Sequence, residues 1–363
     1  MPPAARGQWV TNDVQQAMPC PTCAPFPTPA TPHRLAPLDT LRGFALMGVM
    51  AVHTVGQAPT AWPALNGLLA WGRLGVLLFF AISGYTMMLV WAKGSNAAHP
   101  ARAFWAKRLM RLWPLYAAAS VAMGAMYHLP TSHVLANLTF MGGLHPATIN
   151  SVVPGGWSIL NEALFYLMFP LLVRWVGTPW KLATTLLLAA ALSATLSLTA
   201  PALWPTVPPL MLTEFTYFNL ASHLACFVLG MLAFAATRGN VKPLIAMACV
   251  AVGGGLVAKA CVSSSVLMLT SVVGAAAALA IVGTVRFKLN VAPLSWLGQR
   301  TYTGYLLHFG VLKVLGMLVY GLSFWGLFPL TVLATAALAH ALQPLTEHVG
   351  QRWGQWLAVR WNR

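Results

Sequence analysis

Apolar residues fall along the chain in runs of about twenty, broken by short polar gaps, and these runs predict membrane-spanning helices. A span needs roughly 20 apolar residues at 1.5 Å rise each. Ten stretches qualify: 40–58, 67–92, 112–129, 157–176, 180–199, 214–236, 243–260, 265–285, 298–320 and 323–346. The expected fold is therefore all-α, a bundle of about ten transmembrane helices. The pair 243–260 and 265–285 is the weakest, because Gly253, Gly254 and Gly255 interrupt the first. Residues 130–156, with Pro130, Pro146 and Pro154, are too polar to span and read as the longest outside loop. Residues 1–37 are Pro-rich, carry no apolar stretch of signal-peptide length and read as a disordered cytoplasmic tail. The membrane domain is expected over 38–346, and 347–363 as a short basic cytoplasmic tail. No internal repeat stands out.

Composition supports lipid as the solvent. The chain of 363 residues is 58% hydrophobic and 7% charged, with a mean hydropathy of +0.70. Soluble domains carry about 25% charged residues, so this chain has too few polar groups to cover a water-facing surface. The net charge of +16 would point to nucleic acid in a soluble protein. Here the base is gathered in alternate gaps, which is a topology signal. One set of gaps holds Lys93, Arg102, Lys107, Arg108 and Arg111, then Arg174 and Lys181, Arg238 and Lys242, Arg286, Lys288 and Arg300, and at the end Arg352, Arg360 and Arg363. The intervening stretches 130–156 and 200–213 hold no Lys or Arg; Arg73 and Lys259 break the pattern. By the positive-inside rule this gives both termini inside and an even number of spans, with no nucleic-acid partner. Cys20 and Cys23 form a lone C-x-x-C without the second half of a zinc site, so no metal is expected. Cys226, Cys249 and Cys261 read as small packing residues in apolar segments.

Five acids occur in the chain: Asp13, Asp39, Glu162, Glu214 and Glu347. Asp39 precedes the first span and reads as a helix cap; Glu214 and Glu347 fall at span ends. Glu162 alone lies inside a strongly apolar helix, where a charge costs about 2.5–3.5 kcal/mol on insertion scales. Such a residue is a functional candidate, and an arginine ion pair is the plain alternative. Arg42 and His53 stand eleven residues apart on one helix, which returns them to nearly the same face, roughly 16 Å apart along the axis. In the ninth span Thr301, Tyr305 and His308 share a face, as do Ser158, Glu162, Phe165 and Phe169 in the fourth, with Tyr166 beside them. These stripes predict a polar cavity inside the bundle. His223 and Lys313 are further candidates, each equally well read as a paired or snorkelling group.

The same residues fall in five ordered blocks. The first is Leu38-Asp39-Thr40-Leu41-Arg42-Gly43, reaching to His53. The second is Phe79-Phe80-Ala81-Ile82-Ser83-Gly84-Tyr85. The third runs from Lys107-Arg108 through Arg111 to Trp113-Pro114-Leu115-Tyr116. The fourth is Trp157-Ser158 through Glu162, with Phe165-Tyr166 and Pro170. The last is Leu297-Gly298, then Tyr302, Tyr305-Leu306 and His308. In these blocks the chain resembles the acyltransferase-3 family of polytopic membrane O-acyltransferases, over about residues 38–347. Leu77, Gly310 and Val349 depart from that family's common pattern.

The resemblance implies transfer of an acyl group, commonly acetyl, from cytoplasmic acyl-CoA, with no bound cofactor, to a hydroxyl of a glycan or lipid-linked envelope acceptor. The expected location is a bacterial inner membrane, crossed many times. His53 would be the general base, Glu162 would orient or charge-stabilise His53 or His308, and Arg42 would bind donor phosphate or stabilise negative charge. Lys107, Arg108 and Arg111 would hold the donor phosphates from a cytoplasmic loop, and Ser83, Ser158, Tyr166 and Tyr305 would line the cavity. A secondary transporter with a buried ionisable site is the rival reading.

Overall fold

A computed structural model describes residues 35–94, 99–176, 178–239, 241–262 and 266–361. The Cys20/Cys23 pair and the N-terminal tail lie outside them. No strand occurs among the described residues. In chain order the helices are α1 (Ala36–Gln57), α2 (Pro63–Ala70), a 3-10 helix (Trp71–Leu74), α3 (Gly75–Gly94), α4 (Pro100–Met126), α5 (Thr131–Leu138), a second 3-10 helix (Met141–Leu144), α6 (Gly156–Trp175), α7 (Pro179–Leu203), α8 (Pro209–Phe218), α9 (Leu220–Ala236), α10 (Lys242–Val262), α11 (Val266–Arg286), α12 (Ala292–Gly298), α13 (Thr301–Leu318) and α14 (Phe324–Trp361). Helix starts are often marked by a proline in the first turn, as in α1, α2, α4, α7, α8 and α12, where the missing N–H is not needed.

Among the described residues, seven helical stretches are long and apolar enough to cross a membrane: Pro63–Gly94, Gly156–Trp175, Trp180–Leu203, Pro209–Ala236, Lys242–Ala260, Val266–Arg286 and Phe324–Trp361. Helices α1, α4 and α13 are also long but fall short in apolar character. They are the helices that carry Arg42 and His53, Arg108 and Arg111, and His308, so their polar stripes lower their hydropathy.

Several expectations change at helix ends. The gap 93–111 was expected to be a loop, but α4 is helical from Pro100, so Lys107, Arg108 and Arg111 sit on a helix. The 130–156 segment contains α5 and a 3-10 helix. The glycine triplet does not interrupt α10, which is continuous. Helix α14 runs unbroken through residue 347, so no structural boundary separates the bundle from the C-terminal residues. The reason is common to these cases: helical hydrogen bonding continues past the apolar run wherever a neighbouring helix covers the segment.

Glycines set the closest helix contacts. A Cβ on Gly84 would stand 2.0 Å from the Phe227 carbonyl oxygen, and one on Gly230 would stand 1.9 Å from that of Ala81, so α3 and α9 meet backbone to backbone. Gly43 and Gly298 do the same between α1 and α12, and Gly350 and Gly354 between α14 and α4. Small residues at such crossings are how helices gain packing in lipid. Above the α3–α9 contact, Phe227 stacks between Phe80 and Phe165, at 4.6 and 4.1 Å between centroids.

Broken helices need their freed carbonyls met from elsewhere. Pro170 gives α6 no N–H for the Tyr166 carbonyl, and the Trp105 indole donates to that oxygen at 3.0 Å. At Asn219 the backbone turns extended and splits 209–236 into α8 and α9. The Asn219 side chain caps Ser222 N–H at 3.2 Å, and Asn161 donates to the Phe218 carbonyl at 2.7 Å.

Candidate active site

Helices α1, α3, α4, α6 and α13 surround an open cleft whose polar wall includes Arg42, Ser83, Thr86, Arg108, Arg111, Ser158, Glu162, Tyr166 and Tyr305. Glu162 is half-buried, and one of its oxygens accepts from Ser83 at 2.7 Å and from Tyr166, one turn along α6. Three guanidiniums share the cleft, and each has a different environment. Arg42 is ion-paired with Asp39 at 2.8 Å and donates to Thr86 at 2.8 Å. Arg111 is paired at 3.4 Å with Glu347, itself 1% exposed and further held by Thr303 at 2.9 Å. Arg108 is 8% exposed and closes no ion pair or hydrogen bond with a described residue. A cation in an apolar bundle without a fixed partner is costly. Glu162 is the one carboxylate in the wall, while Asp39 and Glu347, outside the lining, balance Arg42 and Arg111; an anionic ligand entering the cleft meets three sets of guanidinium donors in its wall.

The two imidazoles lie together beside the cleft. His53 on α1 and His308 on α13 have ring centroids 5.3 Å apart, and Phe309 packs on both, at 4.3 and 4.1 Å. Tyr305 joins the two groups. Its ring lies 5.5 Å from His308, it lines the cleft, and its hydroxyl accepts from Ser158 at 3.0 Å and donates to the Gly155 carbonyl at 3.1 Å. Gly155 has φ of +72°, and a Cβ there would stand 2.9 Å from the Tyr305 hydroxyl, so glycine is needed both for the turn into α6 and for this approach.

The structure thus brings Arg42, Arg108, Arg111, Glu162, Ser83, Ser158, Tyr166 and Tyr305 into one cleft, and His53 and His308 into a pair at its side. It does not place Lys107 there; that side chain is exposed. It also separates Glu162 from the imidazoles. Among the described residues no hydrogen bond joins them, because α6 presents Glu162 to α3 while the histidines meet between α1 and α13. Asp39 is not a cap, since no side-chain cap bond forms at the start of α1; it is the partner of Arg42. His223 is fully buried against Phe80, Trp157 and Tyr217, away from the cleft wall. Lys313 is exposed and donates to the Tyr127 hydroxyl. Cys226 is buried, whereas Cys249 is exposed and does not pack. No group of three metal-ligating side chains occurs among the described residues.

Sequence reasoning missed Thr86, Phe309 and the burial of Glu347. The last had a signal: Gln343 and Glu347 stand one turn apart, and an acid on a helix with Pro344 inside it is more easily read as an end than as an interior partner.

The family model for an acyltransferase domain, acyltransferase-3, matches residues 35–342. The chain belongs to the acyltransferase-3 family. Its match spans every residue that lines the cleft and leaves out Glu347, the partner of Arg111. Acyltransferase MdmB of Streptomyces mycarofaciens is similar to it, 26% identical over 318 residues, covering 77% of this chain and 79% of the relative. No solved structure matches significantly. An acyltransferase-3 chain with seven membrane-length apolar helices is a multi-pass membrane enzyme that takes an acyl donor and an acceptor, and the transporter reading gives way to it.

Proposed function

We propose that this acyltransferase moves an acyl group, acetyl in the first instance, from cytoplasmic acyl-CoA to a hydroxyl of a glycan or lipid-linked envelope acceptor in a bacterial inner membrane. Ten spans with both termini inside complete the picture, α1, α4 and α13 crossing with the seven more apolar stretches. One observation carries the reading: Arg108, buried and closing no ion pair or hydrogen bond with a described residue, faces the cleft with Arg42 and Arg111. Phosphate groups of the donor are suited to such a cluster, since guanidiniums bind phosphate by paired charge-assisted bonds.

The chemistry follows from the neighbouring imidazole. His53 accepts the proton of the acceptor hydroxyl as its oxygen attacks the thioester carbonyl carbon. The new C–O bond forms, the C–S bond breaks, and the proton on His53 passes to the departing thiolate, giving free coenzyme A. An imidazole suits proton transfer near neutral pH. Glu162, held by Ser83 and Tyr166, offsets part of the arginine charge in the cleft rather than orienting an imidazole.

The test is acyl-CoA binding and turnover by purified protein in detergent. Wild type should bind and slowly hydrolyse acetyl-CoA. His53→Ala should bind with unchanged Kd while turnover falls roughly 10²–10⁴-fold, the usual contribution of a general base. Folded protein that binds no acyl-CoA of any chain length would refute the donor assignment.

A further inference from the structure

The histidine pair holds information that the base assignment leaves unused. His308 is 0% exposed, and its Nδ1 lies 2.5 Å from the carbonyl oxygen of Tyr305, one turn back on α13. A carbonyl oxygen only accepts, so Nδ1 carries the hydrogen. A neutral imidazole has one N–H, which leaves a lone pair on Nε2. That Nε2 is buried and has no partner among the described residues. A buried acceptor without a donor costs about 1–3 kcal/mol, so the site favours any donor that reaches it.

The surrounding groups narrow the choice of donor. The Tyr305 hydroxyl is turned to Ser158 and Gly155. Glu162 is held by Ser83 and Tyr166. Lys313, on the same helix, is held by Tyr127. His53 remains, its ring centroid 5.3 Å from that of His308 and both rings covered by Phe309. The rings do not bond in this arrangement. His53 is half-buried, and for rings 5.3 Å apart between centroids a nitrogen on each facing edge would stand roughly 3 Å from the other, hydrogen-bond distance.

We infer that His308 is a positioning residue: its orphan Nε2 accepts from His53, fixes which His53 nitrogen carries hydrogen, and leaves the other as the free lone pair that takes the acceptor proton. This rests on His53 being the base. Once His53 takes that proton it becomes an imidazolium, and its bond to Nε2 becomes charge-assisted and stronger. The pair therefore favours the protonated state formed during reaction over the resting state, which is the condition for a rate effect. The Tyr305 carbonyl orients His308 as the third group of such an arrangement. No net proton is gained or lost by His308.

Two amide substitutions separate the nitrogens. In His308→Asn the amide N–H replaces Nδ1 and keeps the bond to the Tyr305 carbonyl, with nothing at the Nε2 position. In His308→Gln the longer side chain places an amide oxygen near the Nε2 position as an acceptor. Acetyl-CoA Kd and kcat are measured on full-length protein in detergent. The expected result is unchanged Kd in both, kcat within about 10-fold of wild type for His308→Gln, and a loss on the order of 100-fold for His308→Asn. In a His53→Ala background, His308→Asn should cost nothing further, since groups acting as one unit are not additive. Equal kcat losses for the two amides would overturn the pairing, as would a double variant slower than His53→Ala by the full factor His308→Asn shows alone. A fully active His53→Ala would instead remove the base assignment itself, and that outcome is read before His308 is changed.

Discussion

The Arg111–Glu347 pair gives a stability prediction that needs no knowledge of the substrate. Glu347 is 1% exposed and lies 3.4 Å from Arg111, whose side chain is 30% exposed. At that distance the attraction in a medium of effective dielectric about 20 is roughly 5 kcal/mol. Water at the Arg111 side and the cost of burying both charges reduce the net figure. Removing one partner still leaves the other buried, which typically costs about 3–5 kcal/mol. Arg111→Met should therefore destabilise by about 3 kcal/mol, since Thr303 at 2.9 Å and Gln343 at 3.5 Å continue to bond the carboxylate. Adding Glu347→Gln removes the stranded charge and keeps a hydrogen-bonding side chain of the same shape. The double variant should return to within about 1 kcal/mol of wild type, because a neutral replacement of a buried pair is often near neutral. At about 2 °C per kcal/mol, Arg111→Met should melt roughly 6 °C lower and the double variant roughly 2 °C lower, followed by thermal unfolding in detergent. If the double variant melts at the sum of the two single losses, the charges are not coupled and the argument fails.

Further outcomes follow from packing and hydrogen bonding. Gly84→Ala places a methyl 2.0 Å from the Phe227 carbonyl oxygen; it should cost at least about 3 kcal/mol or abolish folded monomer on size exclusion. Gly253→Ala meets nothing within 4 Å on helical α10, and should hold or raise the melting temperature by the equivalent of about 0.5–1 kcal/mol. Asn161→Leu strips the Phe218 carbonyl of its donor at the α8–α9 break, and should cost about 1–3 kcal/mol in melting experiments. Tyr305→Phe should cost under about 1 kcal/mol, because the Ser158 hydroxyl hydrogen, released from Tyr305, can turn to the Gly155 carbonyl 2.9 Å away.

The run lengths of apolar residues determined the helices, because lipid permits few other solutions for the backbone. Each expected span falls on helical chain, but the sequence missed the break at Asn219 inside 214–236 and the 3-10 turn at Trp71–Leu74 inside 67–92, and it misjudged where α4 and α14 extend past their apolar stretches. Intramembrane polar residues were likewise legible one by one: Arg42, Glu162, His53 and His308 stand out because each is costly in an apolar segment. Which of them meet was not legible. Periodicity reports the face of a helix a residue occupies and is silent on the neighbouring helix that face meets. Glu162 was expected to serve an imidazole and instead faces Ser83 and the arginines. Glu347 lies 236 residues from its partner Arg111, and no local pattern carries such a separation. Those pairings were decided by glycine contacts such as Gly84–Phe227 and Gly43–Leu294, which bring particular backbones close and so choose which polar stripes share a cleft.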